Sequence, residues 1–307
     1  MRLAGTVRQY YLDNFSALPP DKQFHFATRL SAWSQDADCL QLLEQLKPNI
    51  MPPDTPVKDV LQGIITNLPE TPINAHKARA PFFAKYPDLR GLMLALFRVR
   101  HMLYVYGFDA RQVLADIKPY DELHALSQAL IQDEEAMRTL STYAINYIYL
   151  VEHILYDVHS GIINLDVLYK LGGAYDTEDK DQIMLLIYLY THCIIGETNY
   201  YQRAVARARK NGYMRMLLRL EDLLKQHFKD VNLDNKLEFL VCCRILGHDT
   251  PLSGTIHSEC RSSVSPAGNF LIDTVNDAGQ ASKTSFASSE HRNVLFIMSA
   301  TDYPHPG

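Results

Sequence analysis

The chain has 307 residues, is 47% hydrophobic and 21% charged, and carries a formal net charge of −5 at pH 7. This composition excludes a disordered polyelectrolyte, a collagen-like fibre, a small disulfide-stapled scaffold and a strongly basic, histone-like protein. The length fits roughly two domains and leaves ample chain to bury a core.

Proline divides the sequence. Ten of the 15 prolines fall in residues 1–87, one (Pro119) in 88–250 and four in 251–307. Proline breaks helix interiors, so the first third must be cut into short pieces while the middle is free to be helical. Residues 21–46 read as one or two helices entered through Pro19–Pro20, with Phe26, Leu30 and Trp33 on one face. A proline-rich break at 47–56 precedes a short helix at 57–68, and 69–87 reads as irregular. The middle is a succession of helices: 88–106 ending at Gly107, 109–117, 120–140, 142–158, and 164–171 capped by Asn164. The next opens at Thr177 and runs to about 195. Helices at 198–210, 213–228 and 233–246 follow.

Residues 183–195 are apolar nearly all round, which implies burial on most faces. The run is too short to span a bilayer and contains Thr191 and His192, so no membrane span is expected. With the face formed by Tyr143, Tyr147, Val151, Ile154 and Val158, it is expected to form the core of a helical bundle. Residues 251–307 are rich in Ser, Thr, Gly and Asn. Two apolar islands, 270–275 and 294–298, are of strand length and rich in β-branched or aromatic residues. The expected fold is therefore all-α: an irregular helical region at 1–87, a multi-helix bundle at 88–247, and a small loop-rich appendage at 248–307 whose two short strands pack on the bundle.

Five cysteines, Cys39, Cys193, Cys242, Cys243 and Cys260, form an odd set without C-x-x-C spacing. Reduced, buried thiols in a cytoplasmic chain are the simplest reading. Residues 1–12 carry Arg2 and Arg8 but no apolar core after them, which does not fit a secretory signal.

Four groups of residues point to chemistry. On the central helices, Glu152, Tyr156 and His159 share a face, His153 and Asp157 form a second pair, and His192 and Glu197 lie nearby. Di-metal carboxylate sites are built this way, but they need two Glu-x-x-His repeats and this chain has none. The plainer reading is hydrogen-bonded core histidines. His248, Asp249, His257 and Cys260 form a candidate metal set, with Cys242 and Cys243 close by, yet without the paired-ligand spacing of structural zinc. The His248–Asp249 dipeptide after a helix is similar to the dyad of HD-domain phosphohydrolases. His227 and Asp273 stand as loose partners, but Thr250 and Pro251 occupy the places of that family's Gly and Lys, and the resemblance goes no further.

Asp273, Thr274 and Asn276 follow one apolar island, and Glu290, His291, Arg292 and Asn293 precede the other. Antiparallel pairing of the islands would bring them to one end. Asp273, Glu290, His291 and Arg292 are therefore the candidate catalytic set, fit for binding an anion or moving a proton; loop capping is the plainer reading. Finally, Arg203, Arg207 and Lys210 share a helical face, and Arg215 and Arg219 lie on the next helix. This surface suits a charged partner, either phosphates or an acidic protein. The acidic stretch 88–196 could satisfy the hairpin internally, which disfavours nucleic acid.

P-loop, dinucleotide-binding, zincin and nucleophile-elbow motifs are absent, and no motif singles out a cofactor. The expected function is an intracellular helical interaction or adaptor-like protein with a protein partner. One alternative is an enzyme with a polar, or metal-assisted, site where bundle and C-terminal segment meet. The other is nucleic-acid binding through the 203–229 hairpin.

Overall fold

The computed structural model describes residues 2–68, 77–156, 163–273 and 284–305. Among these, the chain forms sixteen α-helices in the order α1 Arg2–Asp13, α2 Pro20–Ser34, α3 Ala37–Ile50, α4 Val57–Thr66, α5 Ala80–Lys85, α6 Leu89–Tyr106, α7 Arg111–Ala115, α8 Tyr120–Gln132, α9 Glu134–Leu140, α10 Thr142–Leu155, α11 Leu165–Leu171, α12 Lys180–Glu197, α13 Lys210–Gln226, α14 Leu233–Leu246, α15 Ser253–Ser262 and α16 Glu290–Ser299. The fold is all-α, and no described helix is long and apolar enough to cross a membrane. The chain divides into two compact units, one made of Met1–Glu44 with Tyr200–Gly307 and the other of Gln45–Asn199. The boundaries at 87/88 and 247/248 suggested by composition fall inside these units.

In the unit Gln45–Asn199, α10 packs against α6, α8 and α12, as the apolar faces of residues 142–158 and 183–195 suggest. Val158 lies outside the described residues. Tyr147 donates its hydroxyl to the Leu123 carbonyl at 3.0 Å, satisfying a fully buried phenol. Close approach of α4 to α6 depends on Gly91, where an added Cβ would sit 2.6 Å from the Ile65 carbonyl oxygen. Backbone cannot step aside as a side chain does. Gly91→Ala is therefore expected to destabilise this unit by about 1–3 kcal/mol despite alanine's better helix propensity; a thermal midpoint equal to the wild type's would refute this.

The helix expected at 198–210 does not form; turns occupy 198–209. The side chain of buried Arg100 explains where α12 stops, since its Nε donates to Asn199 Oδ1 at 2.9 Å and its Nη2 donates to the Asn199 carbonyl. Asn199, Tyr200 and Tyr201 then take φ values of 49°, 54° and 75°, a left-handed run incompatible with a right-handed helix.

In the unit Met1–Glu44 with Tyr200–Gly307, α16 is the central element. It packs on α14, α2 and α1, while α14 also packs on α13 and α15. The second apolar island, Val294 to Met298, lies in this helix and is not a strand. The reason is burial on nearly all sides: every residue of α16 except the partly exposed His291 is buried, so no polar stripe remains to reveal a helical period. The first island also forms no named strand. Leu271 makes one isolated antiparallel bridge with Val264, and Thr274 and Val275 lie outside the described residues. Asn293 takes the place of a second strand, accepting from the Leu271 N–H at 2.7 Å and donating to its carbonyl at 2.9 Å. Trp33 is buried in this unit and donates Nε1–H to Thr301 Oγ1 at 2.9 Å.

Candidate functional site

Two sites stand out, both in the unit Met1–Glu44 with Tyr200–Gly307. The first surrounds the start of α16. The Glu290 carboxylate is fully buried, and its Oε1 lies 2.7 Å from His25 Nδ1 of α2. Lys22 of the same helix is 3.8 Å from Oε2. Among the described residues Oε2 has no hydrogen-bond partner. Burial pushes the Glu290 carboxyl up to about 7, against the opposing pull of His291, Lys22 and Arg29. Burial also lowers the proton affinity of His25, reinforced by Arg29, His291 and Lys22. The His25 and His291 rings lie 5.3 Å apart, and His291 Nε2 is 3.4 Å from Glu238 Oε1 of α14.

One turn of chain away from this group, Arg292 is buried between two carboxylates. Its Nε donates to Asp234 Oδ1 at 2.6 Å and its Nη2 donates to Asp273 Oδ1. Of the candidate catalytic set, Glu290, His291 and Arg292 are consecutive residues of α16 and Asp273 joins them through Arg292, by helix packing and not at the end of a β-ribbon. Asn276 and Thr274 lie outside the described residues. The Arg292 guanidinium is engaged by its own two aspartates, so it forms a structural ion triad here. The sequence reading missed Lys22, His25, Asp234 and Glu238. Periodicity gives no signal for His25, because Phe24 and Phe26 lie about 100° to either side of it on α2.

The second site is a groove of about 1270 Å³. Its charged lining is Arg2 and Arg8 from α1, Arg244 from α14, Arg261 from α15, and a single carboxylate, Asp302. Leu3, Phe296 and Ile297 supply apolar floor. Arg8 is held by Asp36 at 2.6 Å and Asp38 at 2.8 Å. Arg244 Nε donates to the Ser299 carbonyl at 3.1 Å, which fixes its direction. His257 also lines the groove, its ring edge-on to Phe296.

The proposed metal set does not assemble. His248 Nε2 lies 2.7 Å from Glu221 Oε2, Asp249 is exposed, and His257 faces the groove. Burial pushes the Cys260 thiol up to about 12. Among the described residues no three His, Cys, Asp or Glu side chains gather as a metal site. On the central helices, His153 Nε2 is 2.6 Å from the Gly196 carbonyl and His192 Nδ1 is 2.9 Å from Asn146 Oδ1, so both are hydrogen-bonded core residues. Asp157 and His159 lie outside the described residues.

The basic hairpin also changes. Because 198–209 is not helical, Arg203 and Arg207 do not share a helical face with Lys210. Lys210 opens α13, which carries Arg215 and Arg219. Arg203, Arg207 and Arg215 are exposed, and Lys210 and Arg219 are partly exposed. No protein-family model, curated protein or solved structure matches the chain.

Proposed function

We propose that the protein is an intracellular, adaptor-like interaction protein whose groove receives an acidic, partly apolar segment of a protein partner. The observation that carries this reading is the groove's lining: four arginines against one carboxylate, around an apolar floor. The overall charge of −5 has the opposite sign, so the basic lining is a local feature with a local counterpart. A large mixed groove of this kind suits an amphipathic peptide that lays apolar side chains inward and carboxylates on the rim. All five cysteines are buried and none forms a disulfide among the described residues, which supports a reducing compartment.

The test is fluorescence anisotropy with a labelled peptide of alternating Glu and Leu. The wild type is expected to bind with an affinity that falls as salt rises. The double charge reversal Arg244→Glu with Arg261→Glu is expected to weaken binding by about ten-fold or more. Failure of the wild type to bind, or equal affinity of the variant, would sink the reading.

A further inference from the structure

We infer that Arg244, His257 and Arg261 form an anion subsite inside the groove, which takes a phosphoryl group carried by the partner segment. The inference rests on the groove as the docking site and adds the chemistry that its polar end recognises.

Three observations converge. First, the three side chains come from two packed helices, α14 and α15, and line one groove. Second, His257 is held in place while one of its nitrogens is left without a partner. Its ring lies edge-on to Phe296, and its Nδ1 is 3.5 Å from Ser253 Oγ one turn earlier on the same helix. Its Nε2 is buried and has no hydrogen-bond partner among the described residues. When the Ser253 hydroxyl donates to Nδ1, the neutral ring carries its proton on Nε2. That buried N–H then lacks an acceptor, which is unfavourable. An anion oxygen would supply one.

Third, the charge around His257 is one-sided. Arg261 lies on its own helix, Arg244 on α14, Arg2 and Arg8 on α1, and Asp302 follows α16 as the one acidic lining residue. Burial lowers the proton affinity of His257, and Arg244 and Arg261 lower it further. Arg8 is engaged by Asp36 and Asp38, while Arg244 has only the fully exposed Asp302 at 3.6 Å as a carboxylate partner, so Arg244 and Arg261 are the guanidiniums that an incoming anion would meet beside the histidine. A phosphoryl group offers three acceptor oxygens and close to two negative charges, a better match than a single carboxylate to two guanidiniums and an imidazole. Seating it would reverse the field at His257 and favour the imidazolium. Binding should therefore take up a proton and tighten as pH falls.

The experiment is NMR of the full chain with ¹³C-labelled histidine, His257 being assigned by its loss in His257→Gln. Inorganic sulfate is the first probe, because it stays dianionic across the titration. Saturating sulfate is expected to raise the His257 titration midpoint by about one pH unit or more. The second probe is a pair of acidic peptides, identical except for one phosphoserine. The phosphorylated form is expected to bind about ten-fold tighter, and His257→Gln is expected to cut that ratio of the two peptides' affinities to within about two-fold.

If the two peptides bind equally and sulfate leaves His257 unmoved, the subsite falls while the acidic-segment reading survives. If sulfate shifts His257 but neither peptide binds, the subsite stands and the acidic-segment reading falls. An oligonucleotide of matched charge that outcompetes the phosphopeptide would overturn the phosphopeptide assignment.

Discussion

Replacing Arg292 with alanine is expected to lower the stability of the unit built from Met1–Glu44 and Tyr200–Gly307 by about 3–5 kcal/mol. The guanidinium is 2% exposed, and the Asp234 and Asp273 carboxylates it neutralises are 7% and 22% exposed. The triad as a whole need not add much stability, because burying three charges is itself unfavourable. Removing only the cation is different. Two like charges then remain at low dielectric without their donor, and α14, α16 and the segment ending at Asp273 lose a common tie. Arg292→Lys retains charge but not the fork that reaches both aspartates, so its loss should be intermediate. The measurement is simple because Trp33 is the one tryptophan in the chain and lies buried in this unit. Urea denaturation followed by its fluorescence therefore reports this unit. A midpoint for Arg292→Ala within error of the wild type's would show that the triad carries no structural burden.

Glu290→Gln is expected to stabilise the same unit, and only on the alkaline side. The folded carboxyl is raised from its ordinary 4.5 to about 7. Between those values the folded state binds the proton and the unfolded chain does not. Stability contributed by Glu290 is therefore complete below pH about 4.5, falls as pH rises toward 7, and stays low above it. Glutamine keeps the size and the hydrogen bond to His25 but never becomes charged. The variant should match the wild type near pH 4.5 and exceed it by on the order of 3 kcal/mol at pH 8. His25 acts in the opposite sense. Its folded proton affinity is depressed, so its contribution is present above about 6.5 and is lost as pH falls. Because His25 contacts Glu290, the two groups titrate together, and the gap is read at pH 8, where His25 is neutral in both the folded and the unfolded state. A constant gap between the two stability curves across pH would reject this account of Glu290.

Local signals in the sequence were read well where local chemistry decides. Asn164 and Gly107 bound helices as their residue types suggest, and α14 begins after Asn232 and ends at Gly247 with φ 66°. Reading failed where distant burial decides. The run from Val294 to Met298 looks like a strand because α16 has no solvent face, and nothing within five residues distinguishes that from a sheet. The turn at Asn199 depends on Arg100, which is 99 residues away. α15 was missed because Ser253, Gly254, Thr255 and Ser258 give it weak propensity, and only Ile256 and Cys260 are buried along it. Of the candidate catalytic residues, Asp273 is brought to Arg292 by helix packing and not by the paired strands that the sequence suggested. Their partners Lys22, His25, Asp234 and Glu238 come from α2 and α14, which no periodicity connects to α16. The groove was invisible for the same cause, since Arg2, Arg244 and Arg261 meet only after α1, α14 and α15 have packed.

The two-segment construction of this unit sets a timetable for synthesis. Its first 44 residues leave the ribosome before the 155 residues of Gln45–Asn199, and its remaining helices come only after those. At ~5–20 residues per second, Phe26, Leu30 and Trp33 on α2 wait roughly 13 to 53 seconds for α16, which ends at Ser299, to be made. Hydrophobic collapse takes well under a millisecond, so this interval is very long on the scale of misfolding. For that time the apolar face of α2 has only Tyr11 and Phe15, against Phe26, to cover it from its own unit. The burden of keeping it from wrong partners falls on the nascent chain's surroundings, and slow codons or a scarcity of chaperones would be felt first at α2.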